Sequence, residues 1–338
     1  MTSLPKTMHA VAATGSVPLD DERALLDVEL PLPELRPRDV LVEVAAVSVN
    51  PVDVKTRGRR AADAPPFVLG YDAAGTVVAV GSEVSLFAPG DEVFHAGVIT
   101  RQGTNAEFHA VDERLVGRKP STLSMAEAAA MPLTTITAWE SLFDRFGLRA
   151  DSTGTLLALA GAGGVGSILT QLARQLTGVT VITTASRPET QDWSRRMGAH
   201  HVVDHHGDLA ASVLELAPGG VDRVFTPSTT GRVPLFAEIV RPFGSIVAID
   251  EDPDMDLRVL KGKSIAWLWE SMFTRGVYET PDMVGQHDLL NAAADLFDDG
   301  TLVTTLTHEI SGLDAAGLRE AHAIVASGRS IGKVVVAR

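Results

Sequence analysis

The stretch TLLALAGAGGVGSILTQLARQL, from Thr155 to Leu176, passes from an apolar strand through a glycine-rich turn into an amphipathic helix. Gly161, Gly163 and Gly166 spell GxGxxG, placed after a strand and at the head of a helix, which is the context that gives the pattern meaning. In that context Gly161 permits a tight turn, Gly163 lets the backbone approach a pyrophosphate, and Gly166 lets helix and sheet pack closely. The amides at the helix start, Gly164 and Val165 among them, then face phosphate oxygens. No GK[ST] closes the motif, so it is not a Walker loop. A glycine-rich turn that binds nothing would carry the same letters, but the segments that follow favour a dinucleotide site.

Those segments alternate. Thr155 to Leu159 reads as a strand, Val165 to Leu176 as a helix, Val179 to Thr184 as a strand and Pro188 to Met197 as a helix. The pattern repeats with strands at His201 to Val203, Arg223 to Thr226 and Ser245 to Ile249, and helices at Leu209 to Leu216 and Val233 to Val240. Strands alternating with helices mean βαβ units and a mostly parallel sheet covered on both faces. Lys263 to Trp269 reads as a further strand and Met283 to Phe297 as a helix.

The end of the second strand, VITTASRPE from Val181 to Glu189, bears on the cofactor. An NAD site usually places a carboxylate about 20 residues downstream to accept from the ribose 2′-hydroxyl, whereas a 2′-phosphate favours a cation or hydroxyl. Here Ser186 offers a hydroxyl and Arg187 charge-assisted donors. NADPH is the cofactor this chemistry suits, with a solvent-facing loop arginine as the plain alternative for Arg187.

Before this block the chain is strand-rich: MHAVAA, ALLDVEL and the valine-laden DVLVEVAAVSVN, then Gly75 to Val80, Asp91 to His95 and Ala106 to Val111. Short strands punctuated by Gly, Pro, Asn and Asp indicate a barrel-like unit. From Ser124 alanine enrichment favours helix, which Pro132 must break or kink. The tail offers a strand at Leu302 to Leu306, a helix from Asp314 to Ser327 and a valine strand in GKVVVAR, which are able to return to the first unit.

Composition narrows the classes. The chain has 338 residues, 45% hydrophobic, 21% charged, with a formal charge of −14. That suits an ordered protein of two units and argues against nucleic acid or an anionic membrane as partner. No run is long enough to span a membrane, and MTSLPKTMHA lacks the layout of an export signal, so a cytoplasmic location is expected. The absence of cysteine excludes disulfides, thiolate-ligated metals and cysteine nucleophiles.

The whole layout resembles the medium-chain dehydrogenase/reductase superfamily, in its quinone oxidoreductase and zinc-type alcohol dehydrogenase-like branch. The motifs that carry the resemblance are VSVNPVDVKTR at Val47 to Arg57, PFVLGYDAAGTVVAVGS at Pro66 to Ser82, PGDEVF at Pro89 to Phe94, LTTITAWESLF at Leu133 to Phe143, LAGAGGVGS and the terminal IGKVVV. It implies an α/β chain in which a Rossmann dinucleotide-binding domain, residues 127–297, is inserted in a β-rich GroES-like catalytic domain made of 1–126 and completed by 298–338. It further implies a cleft between the two, hydride transfer from a nicotinamide, and a homodimer or homotetramer.

In zinc-dependent relatives a cysteine stands in the region around Asn50 and a histidine-glutamate pair at Tyr71 and Asp72. Here the cysteines are missing and Tyr71 replaces the histidine, so no metal site is expected. His95 is near in sequence, but Asp72 and His95 leave a zinc ligand set incomplete. Without a Lewis acid, alcohol oxidation loses its main stabiliser. A small electrophile already activated by conjugation, a quinone or an α,β-unsaturated carbonyl, is the better-suited substrate, and oriented donors would carry the charge that develops on its oxygen. Asn50 and Tyr71 are the candidates for that role; Asn50 before Pro51 is equally an ordinary turn pair. Asp72 is expected to satisfy turn amides or a nearby base. The other readings are a nucleotide-binding protein without turnover and, less favoured, a zinc alcohol dehydrogenase.

Further cofactor contacts are expected where strands end. Pro227 and Ser228 follow DRVF, Ile249 and Asp250 follow GSIVA, and Thr137 resembles the threonine that approaches the nicotinamide ribose in this branch. Lys333 of IGK is placed either at the cofactor or solvated beside the last strand. His200, His201, His205 and His206 form a cluster, but the intervening valines read as a strand whose side chains alternate in direction. Trp267, Trp269, Met272 and Phe273 are open to two readings, a cleft wall or a subunit interface.

Overall fold

The computed structural model describes residues 4–15, 17–61 and 64–338; the first three residues of the N-terminal stretch lie outside them. The chain divides into two compact units, one formed by Met1–Leu133 and Phe273–Arg338, the other by Thr134–Met272.

The N-terminal part contributes β1 (Thr7–Ala13), β2 (Leu25–Pro31), β3 (Asp39–Val49), helix α1 (Pro51–Arg59), β4 (Phe67–Val68), β5 (Asp72–Val80), β6 (Glu92–Ala96), β7 (Phe108–Asp112) and β8 (Val116–Arg118). β-Branched residues crowd β3 because they fit a pleated surface buried on both sides. Two short helices follow, α2 (Met125–Ala129) and α3 (Pro132–Trp139), the latter running on as π-helical turns over Glu140–Arg145. Ser124 and Glu127 close a capping box at the start of α2. Pro132 separates the two helices, since its ring and missing N–H tolerate only a first turn.

The second unit holds β9 (Thr155–Ala158), α4 (Gly164–Leu176), β10 (Thr180–Thr184), α5 (Pro188–Arg196), β11 (His201–Val203), α6 (Leu209–Leu216), β12 (Val221–Thr226), α7 (Val233–Ile239), β13 (Val240–Ala248) and β14 (Ala266–Trp269). All its strand pairs are parallel, in the order β11-β10-β9-β12-β13-β14. Counted from β9, this is the strand order 3-2-1-4-5-6 of a dinucleotide-binding sheet. Ile168, Leu169 and Leu172 of α4 are fully buried, each contributing about 1.5–3 kcal/mol.

The chain then supplies α8 (Thr274–Tyr278), α9 (Gly285–Asp298), β15 (Leu306–Ser311), α10 (Ala315–Ala326) and β16 (Lys333–Ala337) to the first unit. Its larger sheet runs β15-β16-β3-β5-β6-β8, with β7 also paired to β3, and β2-β1-β4 form a smaller one. The C-terminal strand therefore sits beside β3, as the resemblance implies.

Residues 273–297, read with the Rossmann part, pack with the barrel unit: Asn291 of α9 accepts from the Arg118 amide at 2.9 Å, and the Arg118 guanidinium binds Asp298 at 3.0 Å and Asp295. Residues 127–133 likewise belong to that unit. The tail strand begins at Leu306 instead of Leu302, because Leu302 turns back and donates its amide to Leu296 at the end of α9. Among the described residues no helix is long and apolar enough to cross a membrane.

Candidate active site

The nucleotide-binding features gather on one edge. In a parallel sheet all strands end on the same side, so Ala160 to Gly163 after β9, Ser186 and Arg187 after β10, Pro227 and Ser228 after β12, and Ile249 and Asp250 after β13 share the carboxyl edge. Strand order reverses between β9 and β12, the crevice where such sheets bind ligands.

The turn itself is built differently from the expectation. Ala160, at φ 55°, carries the left-handed residue, not Gly161. Gly161 is needed for close approach, since a Cβ there would lie 2.5 Å from the Thr183 Cβ. Gly166 fits its expected packing role, as a Cβ would lie 2.3 Å from the Ala160 carbonyl oxygen. Gly163 is the N-cap of α4 and has no side chain to take up the first amides, while Gly163, Gly164 and Val165 are half-exposed. The head of α4 thus presents amide donors and the positive end of its dipole to an anion.

At the end of β10, Thr184 accepts from the Ala160 amide at 2.9 Å and so pins the turn. Ser186 and Arg187 are half-buried, and the Arg187 guanidinium lies 3.3 Å from the Glu189 carboxylate. Asp250 accepts from the Thr229 amide at 3.0 Å, but its other oxygen is buried without a partner. An orphaned acceptor here suits a hydroxyl donor of a bound nucleotide. Glycines, amides and this acceptor fit a dinucleotide. Thr137 stands buried on α3, its carbonyl accepting from the Ser141 hydroxyl at 2.6 Å.

The barrel unit holds a polar network that sequence reasoning met only in pieces. Asn50 caps α1 and donates its amide hydrogen to Asp72 Oδ2 at 2.8 Å, while the Lys333 ammonium reaches the same oxygen at 3.0 Å and also donates to Asn50 Oδ1. Asp72 Oδ1 accepts from the Leu133 amide at 2.6 Å. Asp53 accepts from the Asn50 amide at 2.7 Å and from the Gly70 amide at 3.1 Å. All four side chains are buried. Burial, reinforced by the Asp72 charge, pushes the Asp53 carboxyl up to about 7.

Three expectations change accordingly. Asn50 is neither a loose turn residue nor a free substrate donor: Pro51 opens a helix, and both ends of its amide are committed inward. Lys333 is not solvated beside the last strand: it is buried in the barrel unit and paired with Asp72. Tyr71 is only 1% exposed, so its hydroxyl does not stand open. Its ring meets Phe273 edge-on at 4.9 Å, and its hydroxyl lies 3.4 Å from the hydroxyl of half-exposed Thr56. Burial pushes the phenol up to about 12, so it remains a donor at ordinary pH.

These residues do not fit zinc. Both Asp72 oxygens already hold donors, and an ammonium occupies the network. His95 turns to His109, their rings stacked with the nitrogens 2.9 Å apart. In the histidine cluster, His200 Nδ1 accepts from the Val181 amide at 3.0 Å. Among the described residues no group of three or more His, Cys, Asp or Glu could hold a metal. Trp267 packs on the core of the second unit and Trp269 is 48% exposed on the edge strand β14, whereas Phe273 belongs to the barrel unit.

A glycine-rich turn on a sheet of this order, inserted between the parts of a β-barrel unit, defines a nucleotide-dependent oxidoreductase. Residues 36–138 match the profile of the alcohol dehydrogenase GroES-like domain and residues 164–284 that of the zinc-binding dehydrogenases. The chain is 44% identical over 306 residues to a zinc-type alcohol dehydrogenase-like protein of Staphylococcus aureus, covering 88% of this chain and 90% of that one. It is 35% identical over 259 residues, 73% of this chain and 64% of that one, to a chloroplastic NADPH-dependent alkenal/one oxidoreductase of Arabidopsis thaliana. The crystal structure of a Rhizobium etli protein described as a zinc-dependent alcohol dehydrogenase superposes with a TM-score of 0.94 at 50% identity, over 98% of each chain. The chain belongs to the medium-chain dehydrogenase/reductase superfamily.

Proposed function

We propose that this protein is an NADPH-dependent, zinc-independent reductase of a small conjugated electrophile, a quinone or an α,β-unsaturated carbonyl. The observation that carries the reading is the end of β10, where Ser186 and Arg187 stand in place of a ribose-binding carboxylate. The Arabidopsis relative, named for NADPH and alkenal/one substrates, supports the same chemistry.

When bound, the reduced nicotinamide would supply the hydride. Gly163, Gly164, Val165 and Gly166 would hold the pyrophosphate, Arg187 the 2′-phosphate once it leaves Glu189, and Asp250, Pro227, Ser228, Ile249 and Thr137 would line the rest of the cofactor. Negative charge developing on the substrate oxygen calls for a donor. Asn50 is buried and its amide nitrogen already donates to Asp72 and to the Ser48 carbonyl, so a bond to substrate would replace one of these. We assign the role to Thr56 with Tyr71 behind it, the half-exposed hydroxyl reaching the oxygen and the phenol polarising it. Solvent completes the reduction with a proton. We expect a cytoplasmic homodimer or homotetramer, a point for sedimentation.

The burial of Tyr71 and Asn50 favours one second reading, a nucleotide-binding protein without turnover. A steady-state screen of NADPH and NADH oxidation with quinones, enones, aldehydes and ketones separates the two. Reduction of enones or quinones with a clear NADPH preference is expected. Tight cofactor binding with no oxidation across the panel establishes the silent reading, and an NADH preference overturns the role given to Ser186 and Arg187. T56V and Y71F should each lower kcat by about 10²-fold, the scale of one lost oxyanion donor; full activity in both removes them from the site.

A further inference from the structure

A cavity of about 470 Å³ opens within the barrel unit, apart from every residue assigned above to cofactor or substrate. That volume is in the range of small-molecule sites. Its apolar wall comes from Met8 and Leu30, paired across β1 and β2, with Val68 of β4 and Phe108 of β7. Its polar side carries Arg36, Arg101, Gln102 and Thr100, and among the described residues no carboxylate lines it.

The charges do not cancel. Arg101 holds Asp39 with both terminal nitrogens, at 2.9 and 2.6 Å, and Asp39 also accepts from the Arg36 amide at 3.0 Å, so that carboxylate is spent. The exposed Arg36 guanidinium makes no ion pair with a described residue. Gln102 accepts from the Val68 amide at 2.8 Å, which fixes its side chain and leaves its amide nitrogen to donate. His109, which also lines the cavity, is held down to about 4 by burial and by Arg101, so it is neutral at ordinary pH and adds neither sign. With Arg101 neutralised by Asp39, the lining keeps one uncompensated positive charge, that of Arg36, beside the Gln102 donor and the apolar wall, on a chain whose formal charge is −14. We propose that this cavity binds a small amphipathic carboxylate, its acid on Arg36 and Gln102 and its hydrocarbon against Met8, Leu30, Val68 and Phe108.

Calorimetry on the full chain with octanoate, 1-octanol and octylammonium tests this, with and without saturating NADPH. Octanoate should bind at least about tenfold tighter than 1-octanol, the scale of a hydrogen bond to a charged group. R36Q should erase most of that preference without changing 1-octanol binding, and L30W should weaken both while melting as the wild type does. Octanoate binding should persist when NADPH is present. No saturable octanoate binding below about 1 mM overturns the proposal, as does octylammonium binding equally well, an unchanged octanoate affinity in R36Q, or displacement of octanoate by NADPH.

Discussion

Replacing Lys333 by methionine should damage the barrel unit far more than a surface charge deletion would. Lys333 is 4% exposed, and its ammonium neutralises an Asp72 carboxylate that is fully buried. Removing one partner of such a pair costs about 3–5 kcal/mol, because the other charge stays buried and unpaired. With a urea slope of about 2 kcal/mol/M, a loss of about 4 kcal/mol lowers the midpoint by about 2 M. The assay can be aimed at one unit, since all four tryptophans, Trp139, Trp193, Trp267 and Trp269, lie within Thr134–Met272. Far-UV circular dichroism should therefore show an early transition that tryptophan fluorescence follows less closely. The K333M/D72N double variant, which removes both charges, should recover part of the loss. A midpoint for K333M within experimental error of the wild type, or a double variant no better than the single one, would refute the assignment of a buried pair.

Removing the guanidinium in R187A should raise the KM for NADPH about tenfold and leave that for NADH nearly unchanged; an equal rise for both would mean that Arg187 does not read the 2′-phosphate. G166A places a methyl 2.3 Å from the Ala160 carbonyl oxygen and should cost about 1–3 kcal/mol as well as nucleotide affinity in a fluorescence titration. For Asp53 the folded value of about 7 lies above the unfolded 3.8, so the native state holds the proton more tightly. Stability from this group is full below pH 4, falls as pH rises toward 7, and levels off above, with a span on the order of 4 kcal/mol. The stability difference between wild type and D53N, followed by chemical denaturation across pH 4–8, should track this fall, since the buried His95, His109 and His322 add the same opposing slope to both.

What could be read from the sequence was local. The strand, the glycines and the helix of Thr155–Leu176 are consecutive, and a period change from two to 3.6 marks each βαβ step; the sheet order then follows. Ala160 taking the left-handed conformation was not legible, because the motif draws attention to the neighbouring glycine. Helix α1 was hidden by Asn50-Pro51, a pair that suits a turn and the first helical position equally. The periodicity of α9 showed that one face is buried but not against what, and Arg118 and Val116 of β8 turn out to receive it.

The barrel network marks the limit more sharply. Asn50, Asp53 and Asp72 are near enough in the chain to be grouped by eye, and a tyrosine beside the aspartate invites a picture of open donors. The partner that fixes their roles is Lys333, 261 positions from Asp72. Once that ammonium is paired inside the barrel unit, it has little to offer a cofactor phosphate, since drawing it out would strand a buried carboxylate at a cost of several kcal/mol. On the proposed reading the phosphate charges would be met by the amides at the head of α4 and by Arg187. On this account K333M should leave the ratio of NADPH to NADH affinity unchanged even where it weakens the fold, whereas R187A should shift the ratio and leave the fold alone.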